Sequence, residues 1–359
     1  MLNLFLTLIS CLLASTTPPY FEVETLTKNQ GVIWSMAFVD SDHILFSVRS
    51  GQFKKIALST GKVTDIKGAP SVFEKGQGGL LGLLLDKDFQ KNKKIYFSYA
   101  KEQAGKASTA LASAVLKESE LVDVREIFVA KPAVSGGVHF GGRLAQDNQG
   151  HLYLSVGERG ERDFAQKLDS HHGKIIRLMS DGSIPKDNPF INRAGALPEI
   201  FSFGQRNPQG LFFDGEKNIL WESEHGPRGG DEINIIKAGA NYGWPVVTYG
   251  KEYWGPKIGE GSEKEGIESP LYQFTPSIAP SGLLLYKGSA FKNWKGNLFS
   301  GSLVLTHLNR LVLEGGKIVK EERLLENLVE RFREVIEGPD GLIYLSTDNG
   351  MILRLRPKG

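Results

Sequence analysis

The sequence predicts an all-β chain closed into a six-bladed β-propeller. Three observations carry this expectation: a strand pattern that recurs six times, a composition rich in turn residues, and a length suited to one large closed architecture. The chain has 359 residues, 40% of them hydrophobic, enough to bury a sizeable core in one domain. Glycine is abundant at 42 and methionine scarce at 4, and the apolar runs are short and cut by Asn-Gly, Asp-Gly and Lys-Gly turns. That favours many strands over long helices.

The recurring unit is a turn followed by an alternating apolar segment ending in serine. It occurs at His43–Ser47, Lys94–Ser98, His151–Ser155, Asn218–Ser223, Gly296–Ser300 and Gly341–Ser346. Several copies follow another apolar segment, such as Gly82–Leu85, Gly210–Phe213 or Gly282–Leu285, and several precede a third, such as Gly173–Leu178 or Met351–Leu355. A spacing of roughly 45 to 80 residues fits four-stranded blades with loops of unequal length. A β-sandwich also alternates short strands with turns, but it rarely needs so many copies of one pattern.

Residues 1–18 read as an export signal, with Leu2 to Ala14 apolar and then Ser15-Thr16-Thr17-Pro18-Pro19, although no Lys or Arg precedes the run. The bland alternative is a buried N-terminal strand. The run is too short for a lasting membrane anchor, so residues 19–359 are expected as one exported propeller domain, periplasmic or secreted, without a transmembrane segment. The single cysteine, Cys11, ends Leu8-Ile9-Ser10-Cys11, which resembles a lipobox and offers a lipid attachment point. No disulfide can form within the chain. The 43 basic and 41 acidic residues nearly cancel, leaving no field to collect nucleic-acid phosphates.

Four polar, glycine-rich segments stand out between strands, where propellers gather their functional loops. Gly76–Gly82 contains Gln77, and Gly136–Leu144 sets His139 between glycine pairs. Gly204–Gly210 places Arg206 beside Asn207, donors suited to an acidic, planar ligand. Ser223–Glu232, followed by Asn241–Pro245, supplies carboxylates and main-chain carbonyls of the kind calcium takes. Each alone has an ordinary reading as a turn, a structural histidine or a surface ion pair.

Together and in this order, the segments resemble the glucose/sorbosone dehydrogenase family, in particular its aldose sugar dehydrogenase branch. The resemblance runs from Gly76 to the C-terminus and is most specific at His139–Leu144, Gly173–Pro189, Gly204–Gly210 and Glu224–Pro245. The part before Gly76 fits only as a first blade. The resemblance implies a six-bladed propeller that binds pyrroloquinoline quinone and calcium on its loop face and oxidises an aldose sugar to its lactone. The external electron acceptor is not identified.

By the same resemblance His139 is the general base and Gln77 lies by the base and substrate. Arg206 and Asn207 contact the cofactor, and Arg331 and Arg333 bind its carboxylates. The carbonyls of Gly226 and Pro227 are calcium ligands, and Glu232 with Tyr242 marks a second, structural calcium site. Two positions depart from the glucose-oxidising relatives: Val138 replaces an aspartate before the base, and Val304 replaces a cofactor-binding lysine. The rival functions are a calcium-dependent propeller lactonase, which leaves the arginine pair without a role, and a non-catalytic ligand-binding propeller, which does not require His139 with Gln77, Arg206 and Asn207.

Overall fold

The computed structural model describes residues 20–358; the expected export segment and Cys11 lie outside the described residues. Six four-stranded antiparallel sheets form the blades of a β-propeller. Five are continuous in sequence, over residues 33–66, 80–129, 144–203, 208–274 and 280–324. The sixth joins Phe332–Glu337, Ile343–Thr347 and Ile352–Pro357 to the N-terminal strand Phe21–Thr27, which pairs from Phe21 opposite Pro357 to Thr27 opposite Ile352. The chain before Gly76 is therefore not wholly a first blade. Its first strand adds the outer strand of the last blade, so the two ends of the chain close the ring in one sheet. Among the described residues the helices are one four-residue α-turn and three short 3₁₀ segments, and none is long and apolar enough to cross a membrane.

All six copies of the repeat are the second strand of a blade. That strand is covered on both faces by neighbouring blades, so Ile44-Leu45-Phe46, Ile95-Tyr96-Phe97 and Ile343-Tyr344-Leu345 are all buried. The closing serine has a physical role. Ser47, Ser98, Ser155, Ser223 and Ser346 donate their hydroxyls to main-chain carbonyls of the next blade, at Leu81, Gly142, Pro208, Ser281 and Ile33. The fifth blade departs: Ser300 bonds to Gly301 beside it, and Ser281 reaches Phe332 instead. These latches hold the innermost strands close. A Cβ at Gly210 would lie 2.3 Å from the Ser223 hydroxyl, and one at Gly282 would collide with Glu334.

At the axis sits a buried ion pair. Arg143 donates Nε to the carbonyl of Gln209 at 2.6 Å and Nη2 to the carbonyl of Arg333 at 2.8 Å, while Nη1 engages the Glu334 carboxylate. Glu334 also accepts from the Ser35 hydroxyl at 2.9 Å, and the guanidinium stacks over Trp34 at 4.1 Å. One side chain thus links the first, third, fourth and sixth blades. Burial pulls the Arg143 pKa down and pushes that of Glu334 up, each opposed by the partner's charge.

Removing one member of such a pair leaves the other buried and uncompensated. Arg143→Met is expected to cost about 3 to 5 kcal/mol in urea unfolding, and Arg143→Met with Glu334→Leu to recover much of that loss. A single variant within about 0.5 kcal/mol of the parent would show that the pair does not brace the axis.

Candidate active site

In each blade the first strand starts, and the second turns into the third, at the same end. Residues entering the innermost strand and residues just after the repeat serine therefore converge on one face. There they line a cavity of about 720 Å³. Gln77, His139, Arg206, Asn207, Gly226, Pro227, Arg331 and Arg333 all line it. Eight of the ten residues singled out in the sequence meet at this one place.

His139 is held in the left-handed region at φ 50°, a conformation that residues with a Cβ seldom adopt. Its amide donates to Gln77 Oε1 at 2.7 Å, and its carbonyl accepts from the Arg159 amide at 3.3 Å. Nδ1 lies 2.8 Å from Glu158 Oε1. An ionised carboxylate only accepts, so the proton sits on Nδ1, and the lone pair on Nε2. Burial lowers the His139 pKa below the ordinary range; the Glu158 hydrogen bond opposes this, and the Arg206 charge adds to it. In Glu158 burial acts upward but is outweighed by His139, Arg206 and the Gly160 amide, and the carboxyl lies below its usual range. The carboxylate missing at Val138 is thus supplied from another turn.

Arg206 is fixed by its amide, which donates to Glu224 Oε2 at 2.6 Å, and by Nη1, which donates to the carbonyls of His225 and Gly226 at 3.1 and 3.0 Å. Its Nε is buried and has no partner among the described residues. Asn207 Oδ1 accepts from the Gly141 amide at 3.2 Å and from Gln209 Nε2 at 3.3 Å. Arg331 and Arg333 share one carboxylate: Asp348 accepts from Arg331 Nε at 2.8 Å and from Arg333 Nε and Nη2 at 2.8 and 2.9 Å. Two cations against one anion leave a net positive clamp.

Arg49, Arg228 and Lys251 also line the cavity and were not singled out from the sequence, nor were Glu158 and Asp348. The signal for several was present. Arg49, Glu158, His225 and Asp348 stand two or three residues after a repeat serine, where the second strand delivers the chain to this face. Six basic side chains line the cavity against one carboxylate, Asp231. Asp231 is itself spent on the amides of Gly226, Ile278 and Ala279 and the Ser277 hydroxyl, which orders the turn bearing the Gly226 and Pro227 carbonyls. Gly226 and Pro227 line a cavity rich in guanidinium groups, a set of donors and main-chain oxygens that suits an acidic group bound through a cation.

Glu232 and Tyr242 do not line the cavity. They border a small space of about 10 Å³ beside it, shared with Arg206, His225 and Gly226. Glu222, Glu224 and Glu232 are buried together on paired strands and form no ion pair among the described residues. Burial and then the Glu224 charge hold Glu222 and Glu232 above the usual carboxylate range, and burial raises Glu224 to about 7 against the opposing pull of the Arg206 amide and charge. Asn234 Nδ2 bridges Glu222 and Glu232 at 2.9 and 3.2 Å, leaving Glu222 Oε1 and Asn234 Oδ1 buried and unpaired. The Tyr242 hydroxyl is taken by the Ile235 carbonyl at 2.7 Å and the Lys237 amide at 2.8 Å. Unpaired oxygens among buried acids suit a cation. Among the described residues, however, no three acidic, histidine or cysteine side chains converge as a complete ligand set.

The model of the glucose/sorbosone dehydrogenase family matches residues 31–354. The chain is 39% identical to the aldose sugar dehydrogenase YliI of Escherichia coli over 366 residues, 99% of each chain. Among solved structures it resembles the apo form of the soluble aldose sugar dehydrogenase of Escherichia coli with a TM-score of 0.91 and 39% identity, covering 94% of this chain and 100% of that one. It also resembles a quinone-bound (PQQ) aldose sugar dehydrogenase of Streptomyces coelicolor with a TM-score of 0.78 and 27% identity, covering 94% and 99%.

The His139 environment sets a titration. With burial dominant, NMR should find the imidazole neutral at pH 7 and protonating only below its ordinary pKa of about 6.5. In Glu158→Gln the upward pull is lost, so the midpoint should fall further. A midpoint unchanged by that substitution, or raised, would contradict the pairing.

Proposed function

The chain belongs to the glucose/sorbosone dehydrogenase family and is a sugar dehydrogenase, and from that premise we propose that it oxidises aldose sugars to lactones with pyrroloquinoline quinone and calcium, passing electrons to an external acceptor. The convergence of His139, with Nε2 unpaired, and a cationic clamp on one cavity carries this reading. When bound, the quinone supplies the hydride-accepting carbonyl, and calcium polarises it.

The chain's own residues do the rest. His139 Nε2 takes the proton of the sugar's anomeric hydroxyl, and Glu158 keeps Nδ1 protonated and steadies the imidazolium as it forms. Gln77, whose Oε1 holds the His139 amide, offers its amide nitrogen to the sugar. Arg206 and Asn207 place hydrogen-bond donors where negative charge grows on the cofactor oxygens. Arg331 and Arg333 hold its carboxylates with net positive charge left after Asp348. Arg49, Arg228 and Lys251 supply cations near Val304, where a lysine is absent.

The Gly226 and Pro227 carbonyls would hold the calcium beside the cofactor. A second, structural calcium would take Glu232 and the Tyr242 main-chain carbonyl, since the tyrosine hydroxyl is already bonded. The same reading has the chain exported through residues 1–18 to the periplasm or medium, with Cys11 as a point of lipid attachment.

The test is reconstitution: purified apoprotein should reduce a dye with aldoses only when quinone and calcium are both added. Activity with a nicotinamide cofactor and none with the quinone would refute it. His139→Ala should bind the quinone by absorbance titration yet turn over about a hundred- to ten-thousand-fold more slowly. A mutant within a few-fold of the parent would make His139 structural.

Glu232→Ala should lose the second site's share of the calcium-dependent rise in Tm, a share equivalent to about 2.7 kcal/mol at a hundred times that site's Kd, while quinone binding persists. An unchanged calcium response would remove the second site.

A further inference from the structure

Outside the cavity itself, the rim of the same face is unusual. Nine large hydrophobic side chains are exposed among the described residues, and four gather at this mouth. Tyr253 and Val304 line the cavity; Val138 and Trp254 adjoin His139 and Tyr253 in the chain. Trp254 is 75% exposed and does not line the cavity, so its indole stands out into solvent.

It stands on a braced hairpin, with Lys251 paired across to Lys257 and the Glu252 amide donating to the Pro256 carbonyl at 2.8 Å. Arg162 holds Glu252 at 2.7 Å and so removes the hairpin's one acid from play. Arg49, Arg228, Lys251 and Lys257 make no ion pair with a carboxylate among the described residues. The rim is therefore apolar and positive in a chain whose net charge is only +2.

We propose that this rim, with Trp254 and Lys257 at its hairpin tip, docks an acidic one-electron redox protein that collects the electrons of sugar oxidation. The inference rests on the proposed sugar oxidation. Each aldose converted to lactone releases two electrons and two protons; two acceptor molecules take one electron each, and the protons go to solvent. Exposed aromatic residues beside arginine are the composition of protein interfaces, and the lysines add charge. A small interface of this kind suits a transient redox encounter, and unpaired cations steer an anionic partner onto the open mouth.

The probes are a small acidic c-type cytochrome, a basic cytochrome and an uncharged dye, with the parent and the Trp254→Ala/Lys257→Glu double variant. The acidic cytochrome should bind the immobilised parent, with or without quinone, and bind the variant about tenfold more weakly, the attraction fading as salt rises. In quinone-loaded protein, kcat/KM for that cytochrome should fall alike, while dye reduction stays within twofold. No binding, equal preference for the basic cytochrome, or capture by phosphatidylglycerol vesicles in place of the cytochrome would overturn the docking surface. Cytochrome binding without any sugar oxidation would overturn the proposed function and leave the surface standing.

Discussion

The Arg143–Glu334 pair on the propeller axis is the constraint on which the site depends. Arg143 follows the His139–Phe140–Gly141–Gly142 segment, and Glu334 follows Arg333, so one buried contact sets the distance between His139 and the arginine clamp. The bond from Arg143 Nη2 to the Arg333 carbonyl and the bond from Nε to Gln209 extend the same bracing to the Asn207 turn. A propeller's blades are otherwise joined only by neighbour contacts, here the serine latches. The axial pair adds links across the ring, and it does so directly under the cavity.

Charge is distributed with a purpose that composition hides. Near-neutrality overall coexists with six basic groups around one cavity and three buried glutamates beside it. Each cluster is costly alone, because like charges repel and burial removes the water that screens them. Together they set a positive cavity beside a pocket of buried acids. His139 lies between, kept neutral by burial and kept in one tautomer by Glu158.

The fold was legible because the second strand of every blade is buried on both faces and ends in a residue with a fixed task. Six near-identical segments survive for that reason, and only Ser300 has lost the latch. The outermost strand of the sixth blade was not legible: Phe21–Thr27 is half-exposed and its partner lies at the other end of the chain. At the site, residues carried by distinctive loops, such as His139, Arg206 and Arg331, were readable. Glu158 and Asp348 were not, since each acts by meeting a side chain from a different turn or blade, and a linear pattern does not say which turns face each other. Val138 carries no carboxylate, and Glu158, from another turn, stands 2.8 Å from His139 Nδ1.

The central claim is that this cavity holds a quinone against His139. A crystal structure of the purified protein grown with pyrroloquinoline quinone and calcium tests it most directly. The account requires planar density in the cavity, carboxylates at the Arg331–Arg333 clamp, a cation at the Gly226 and Pro227 carbonyls, and His139 Nε2 facing the bound quinone. Quinone bound elsewhere, or an empty cavity at saturating quinone, would contradict it.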